Sequence, residues 1–143
     1  MTELTNALLV SRAIITDEDR ILVLRRTQED LHNAGLWEFP GGKVDADETV
    51  EDGLAREVFE ETGLIIGAAS SIAHVETELI KSGKYEGRLY VALFYAAKRL
   101  SGDLALSDEH SDVLWEEPRF ATERVMTPQS RRALTAFLKQ GII

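Results

Sequence analysis

Three carboxylates crowd one turn of a helix in this chain, at Glu57, Glu60 and Glu61. The spacing of apolar residues predicts a helix over 49–62, and an advance of roughly 100° per residue sorts its side chains by direction. Val50, Leu54 and Val58 sweep one side, and Ala55 and Phe59 continue that apolar arc, so a widely buried helix is expected. Glu61 falls between Val50 and Leu54, inside the arc. Glu57 lies at its border and Glu60 one step beyond. As i+3 and i+4 neighbours of like charge they cost about 0.2–0.5 kcal/mol per pair. Carboxylates gathered at the edge of a buried face call for a compensating cation. Oxygen donors of this hard kind select Mg²⁺, with Mn²⁺ as an alternative. The competing reading is a solvated acidic cluster neutralised by Arg56 and Lys43, and helical geometry alone leaves both readings open.

Spacing along the chain decides between them. From Gly42 to Leu64 the sequence reads GKVDADETVEDGLAREVFEETGL. The defined residues are Gly42, Glu48, Arg56, Glu57, Val58, Glu60, Glu61, Gly63 and Leu64. They resemble the Nudix box at every specified position, a coincidence on the order of one in 10⁹ at a given start with average residue usage. The preceding WEFPGGK, Trp37 to Lys43, resembles the MutT branch of that family, which hydrolyses nucleoside triphosphates.

The resemblance implies an α/β fold, a Nudix-type α/β/α sandwich with a mixed β-sheet, and a loop–helix–loop metal site. It implies that Glu60 and Glu61 ligate the metal. Glu57 either ligates too or orients and deprotonates the attacking water, and the backbone carbonyl of Gly41 completes the site. Arg56 is expected to lock the box carboxylates by charge-assisted hydrogen bonds, and Glu48 to tie the loop to the helix. A further carboxylate is expected from a late loop; Glu109 is the candidate, with Asp108 and Asp112 as rivals and a solvated acidic loop as the alternative. The activity implied is metal-dependent nucleotide pyrophosphohydrolysis, with water attacking phosphorus. Two alternatives stay open: a non-catalytic Nudix-fold module that binds a nucleotide, and a hydrolase acting on ADP-ribose or a nucleotide sugar. Such modules typically lose box glutamates, and this chain keeps all of them. The proline that marks many ADP-ribose hydrolases is absent, since no proline occurs between Pro40 and Pro118.

For the substrate, the MutT-like resemblance points to Arg26 late in the second strand, His32 in the following loop and Phe39 beside the base pocket. Tyr85 or Tyr90 is a candidate for stacking on a base. Each has a plainer reading, as surface charge, core aromatic or ordinary strand residue. The chain departs from MutT where that enzyme reads an oxidised purine with an asparagine, for Gln129 stands there. A longer arm orders its amide at greater entropic cost, which implies broader substrate use.

Short elements must position these groups. Residues 7–10, 13–15 and 21–24 are strand-like, with a hairpin across 16–20 and a loop over 27–35. Pro40-Gly41-Gly42 is turn punctuation, and Gly63 stops the helix. Further strands are expected at 64–66, 71–79, 88–98 and 112–116, with 81–87 as a mobile hairpin tip. Pro128 opens a last helix carrying Ala133, Leu134, Phe137 and Leu138 at helical spacing.

The 143 residues fit one domain, 1–143, with the box at 42–64. A net charge of −9 argues against a nucleic-acid polymer as partner, because phosphate backbones demand basic surface. There is no cysteine, no signal-like start and no run approaching 18 apolar residues. A nucleotide partner, no membrane and a cytoplasmic location are therefore expected, and the resemblance is compatible with a homodimer.

Overall fold

The computed structural model describes residues 3–69 and 71–141; Met1, Thr2, Ser70, Ile142 and Ile143 lie outside the described residues. The strands are β1 (Ala7–Asp17), β2 (Arg20–Arg26), β3 (Trp37–Glu38), β4 (Gly41–Lys43), β5 (Ile65–Ile66), β6 (Ser71–Leu79), β7 (Leu89–Ser101) and β8 (His110–Glu116). The helices are α1 (Val50–Thr62), α2 (Pro118–Ala121) and α3 (Pro128–Gln140).

The sheet is mixed. β1 runs parallel to β7 from Ala7↔Leu89 to Thr16↔Lys98, while β6 pairs antiparallel with β7 and β8 with β2. Alternation along β1 divides the core in two. Val10 and Ile14 join Phe94, Phe39, Leu134 and Phe137 on the face covered by α3. Ala13 and Ile15 join Leu22, Leu24, Leu54 and Val58 on the face covered by α1. Helices on both faces make the expected α/β/α sandwich.

The site depends on a split in this sheet. β1 and β2 pair only at their hairpin end, Thr16↔Ile21 and Asp17↔Arg20. Beyond it β1 pairs with β4 and β2 with β3, so the segment 37–43 bridges the opening. Pro40 sits at the crossing, and its carbonyl accepts from the Ala13 N–H at 2.8 Å. Proline suits a position whose carbonyl is needed and whose N–H is not. Gly41 follows at φ 145°, and a Cβ there would stand 2.1 Å from the Ser11 carbonyl oxygen. Only glycine can make this crossing.

The strand-like segments 7–10 and 13–15 belong to one continuous strand, since the ladder with β7 runs on through Ser11 and Arg12. Two expectations are corrected. Helix α1 is buried over a narrower arc than its apolar residues suggest: Ala55 is exposed and Phe59 is 55% exposed. Leu138, placed by spacing on the buried stripe of α3, is 41% exposed. Among the described residues no helix is long and apolar enough to cross a membrane.

Candidate functional site

Helix α1 is fixed at both ends. The Thr49 hydroxyl accepts from the Asp52 N–H at 3.1 Å, and Gly63 closes the C-terminus at φ 76°. The helix thereby holds its carboxylates in three environments. Glu61 is 4% exposed, the side chain of Glu57 is half-buried, and that of Glu60 is 55% exposed. This is the order expected from their angles around the helix.

Arg56 gathers the outer carboxylates. Its guanidinium donates to Glu48 at 2.7 and 3.1 Å, to Glu57 at 3.2 Å, to Glu60 at 3.3 Å and to the Lys43 carbonyl at 3.2 Å. Glu48 also accepts from the Asp45 N–H at 2.8 Å, which ties the loop to the helix. Hydrogen bonds from Arg56 hold the Glu48 carboxyl down at about 2. Glu57 moves the other way, since partial burial raises it against the pull of Arg56.

The inner carboxylates are arranged differently. Glu61 Oε1 accepts from the Gly41 N–H at 2.7 Å, and its other oxygen faces His110 Nδ1 at 3.8 Å. Burial pushes the Glu61 carboxyl up to about 7, although the Gly41 N–H, His110 and Arg12 oppose the rise. Glu38, 2% exposed, is well supplied: Arg26 Nη1 and His110 Nε2 each stand 2.8 Å from its Oε2. Burial acts to raise Glu38, but Arg12, His110 and Arg26 outweigh it and its carboxyl lies below the usual range. His110 Nδ1 is buried without a hydrogen-bond partner.

Glu38, Glu61 and His110 each offer a ligand atom within 4.8 Å of the others. A cation centred on Glu38 would meet the guanidinium of Arg26, so that carboxylate is already spoken for. The open set is Glu57, Glu61 and Glu109, which line a cavity of about 400 Å³ with Gly41, Gly42, Arg12, Arg26, Lys43 and Tyr90. A Cβ at Gly42 would lie 2.6 Å from the Glu57 carboxyl carbon, so glycine keeps this wall open. Hard carboxylate donors, one with its charge suppressed by burial, fit a divalent cation. Glu60 lies outside the lining of this cavity, turned to Arg56.

A second cavity of about 410 Å³ adjoins the first and is lined by Arg12, Asn33, Glu38, Glu78, Tyr90, Thr127, Pro128, Gln129 and Arg132. Gln129 is there, and Tyr90 donates to its Oε1 at 3.1 Å, so its amide is tethered rather than loose. Arg26 lines the first cavity. His32 is exposed and lines neither. Phe39 is fully buried, packed edge-on against Phe94 at 6.5 Å between ring centroids. Among the rivals of Glu109, Asp112 pairs with Arg25 at 3.8 Å, and neither it nor Asp108 reaches the cavity wall. A larger recess of about 700 Å³ near Trp37 and Arg124 shares no residue with either cavity, and Arg124 is committed to Glu116 at 2.6 Å.

Sequence reasoning passed over Arg12, Glu38 and His110. For Arg12 a signal existed: a charged residue stands at the inward position between Val10 and Ile14. His110 follows Glu109 directly, but only the β2–β8 register, Arg26↔His110, brings it beneath the box.

Comparison with known proteins agrees with this geometry. The NUDIX domain family model matches residues 8–137. A MutT-like protein of Streptomyces ambofaciens is 34% identical over 127 residues, covering 89% of this chain and 74% of the relative. The CTP pyrophosphohydrolase of Escherichia coli K12 is 31% identical over 129 residues, covering 90% of each. The solution structure of the E. coli ORF135 protein superposes with a TM-score of 0.81 at 28% identity, over 96% of this chain and 93% of that one. With the box glutamates, the sheet and the helices all in place, the chain belongs to the NUDIX domain family and is a Nudix hydrolase of its MutT-like branch.

Proposed function

We propose that the chain is a divalent-metal-dependent pyrophosphohydrolase that cleaves a nucleoside triphosphate to the monophosphate and pyrophosphate. The observation that carries this reading is the adjacency of two cavities, one walled by open carboxylates and the other by polar side chains including Gln129. The first suits a cation with a diphosphate, the second a nucleoside.

Glu57, Glu60, Glu61 and Glu109, with the Gly41 carbonyl, would hold Mg²⁺ or Mn²⁺, which supplies charge neutralisation for the diphosphate and acidifies water. Glu60 requires a side-chain rotation away from Arg56 to take part. Glu57 faces the cavity, and its raised carboxyl suits a group that accepts a proton. As the water oxygen bonds to phosphorus, the bridging P–O bond breaks, pyrophosphate leaves and the water proton passes to Glu57. Arg56 acts by orienting Glu57 and Glu60. Gln129 and Tyr90 face the base, and Arg26 fixes Glu38 beneath the site. The similarity to a CTP pyrophosphohydrolase supports the pyrophosphate-releasing chemistry. The same proposal takes residues 1–143 as a single catalytic domain in the cytoplasm, binding no nucleic-acid polymer; a homodimer is compatible with it.

The test is a pyrophosphate-release panel over the canonical triphosphates, 8-oxo-dGTP, ADP-ribose and a nucleotide sugar, with Mg²⁺ and then with EDTA. Turnover of several nucleoside triphosphates at comparable kcat/KM, abolished by EDTA, is expected. Full activity after exhaustive chelation, or no turnover of any triphosphate, overturns the reading.

A further inference from the structure

Arg12 is a charge in a place where alternation calls for an apolar side chain. Val10 and Ile14, its neighbours on the same face of β1, belong to the core under α3. Its own side chain is only 18% exposed. A guanidinium this enclosed needs partners. Arg12 Nη1 donates to the Phe39 carbonyl at 2.9 Å and lies 3.6 Å from Glu38 Oε1. Among the described residues, its Nε and Nη2 make no hydrogen bond.

The two cavities share only Arg12 and Tyr90. A ligand that occupies both must pass between them. The other cations on the carboxylate cavity are Arg26 and Lys43. Arg26 is committed to Asp30 and Glu38 through all three guanidinium nitrogens. Lys43 is exposed and lies over the Tyr85 ring. Arg12 is therefore the cation that stands at the neck with donors to spare.

Charge balance for Glu38 accounts for only one nitrogen of Arg12: Nη1 helps hold that carboxyl low from 3.6 Å, while Nε and Nη2 are not engaged among the described residues. That carboxylate already has Arg26 and His110 at 2.8 Å, both closer than Arg12. We propose that Arg12 is a substrate-binding residue that grips, through Nε and Nη2, the phosphate joined to the nucleoside. The planar fork of a guanidinium matches two phosphate oxygens, and in a half-buried neck that contact is shielded from water. Tyr90, which donates to Gln129 at 3.1 Å, is the other residue common to both cavities. The proposal rests on the nucleotide reading above and names a contact within it.

The experiment measures binding without metal. Calorimetry in EDTA compares CMP with cytidine, and dGMP with deoxyguanosine, on the wild type, Arg12→Lys and Arg12→Met. The wild type is expected to favour each monophosphate over its nucleoside by about 10- to 100-fold, the range of hydrogen bonds to charged groups. Arg12→Met should erase that preference and leave nucleoside affinity unchanged, while Arg12→Lys keeps part of it. In Mg²⁺ the same variants should raise KM for the triphosphate more than they lower kcat. A purely structural Arg12 would weaken nucleoside and monophosphate together and lower thermal stability in step. A monophosphate preference that survives Arg12→Met, or is absent from the wild type, overturns the proposal. The pyrophosphate-release panel is read separately. A wild type inert on every triphosphate, yet losing its monophosphate preference in Arg12→Met, would contradict the hydrolase reading and leave Arg12 in its role.

Discussion

The outer and inner carboxylates around helix α1, Glu57 and Glu60 with Glu48 of the preceding loop against Glu61, meet opposite fates. Outside, Arg56 satisfies Glu48, Glu57 and Glu60 in a network open to water, and Glu48 is held at about 2. Inside, Glu61 is enclosed, meets one backbone N–H and a distant imidazole, and is pushed up to about 7. The outer carboxylates share the one guanidinium of Arg56 and remain in reach of water, and Glu57 also faces the cavity. The inner one is incomplete: burial has removed water and the fold offers no cation close enough to replace it. Arg56 orients Glu57 and Glu60 at the mouth of the site, and the enclosed Glu61 waits for a metal.

Removing the inner charge should do the most damage. Glu61→Gln keeps shape and volume, and turnover should fall by about 10²-fold or more with the fold intact by circular dichroism. Glu60→Gln should also lose activity. Wild-type rates in both variants would remove the metal role from this turn. Glu109→Gln comes next, with a loss of about tenfold, because Glu109 lies on the cavity wall but is exposed. A neutral result moves that role to Asp108 or Asp112.

The contrast can also be read from stability against pH in the metal-free protein. Below the ordinary carboxyl value of 4.5, Glu61 is protonated both folded and unfolded. Between there and about 7 the unfolded chain has released the proton that the folded protein retains, so stability declines as pH rises. Denaturant titrations in EDTA from pH 5 to 8 should show a loss of up to a few kcal/mol. Glu61→Gln should flatten that slope, and a slope unchanged in the variant contradicts the assignment. The smallest effect belongs to the outer group. Glu48→Gln keeps an acceptor for the half-buried Arg56 and leaves it Glu57 and Glu60, so activity should fall only a few-fold. A loss as large as that of Glu61→Gln would erase the distinction between the two groups.

Much of this was legible in the sequence because it is local. The box lies within 23 consecutive residues, and helical angles alone rank Glu61, Glu57 and Glu60 by burial. Strand 71–79 matches β6 to the residue, its alternation ending at turn chemistry. What was hidden depends on distant pairing. His110 reaches Glu38 across 72 positions, and nothing in Ser107-Asp108-Glu109-His110 distinguishes the histidine. Phe39 carries no local sign of which way it faces; the crossing at Pro40 turns its side chain into the core and its carbonyl toward Arg12. Ala55 and Phe59 extend the apolar arc of α1 in sequence, yet both stay exposed, because periodicity does not say where the packed neighbours end.

The claim that Glu61 waits for a cation is tested most directly by titrating Mn²⁺ into the metal-free protein by calorimetry at pH 7, in buffers of different ionisation enthalpy. The account predicts saturable binding accompanied by proton release, with both lost in Glu61→Gln and both kept in Glu48→Gln. No saturable binding to the wild type, or the same affinity and proton release in Glu61→Gln, would contradict it.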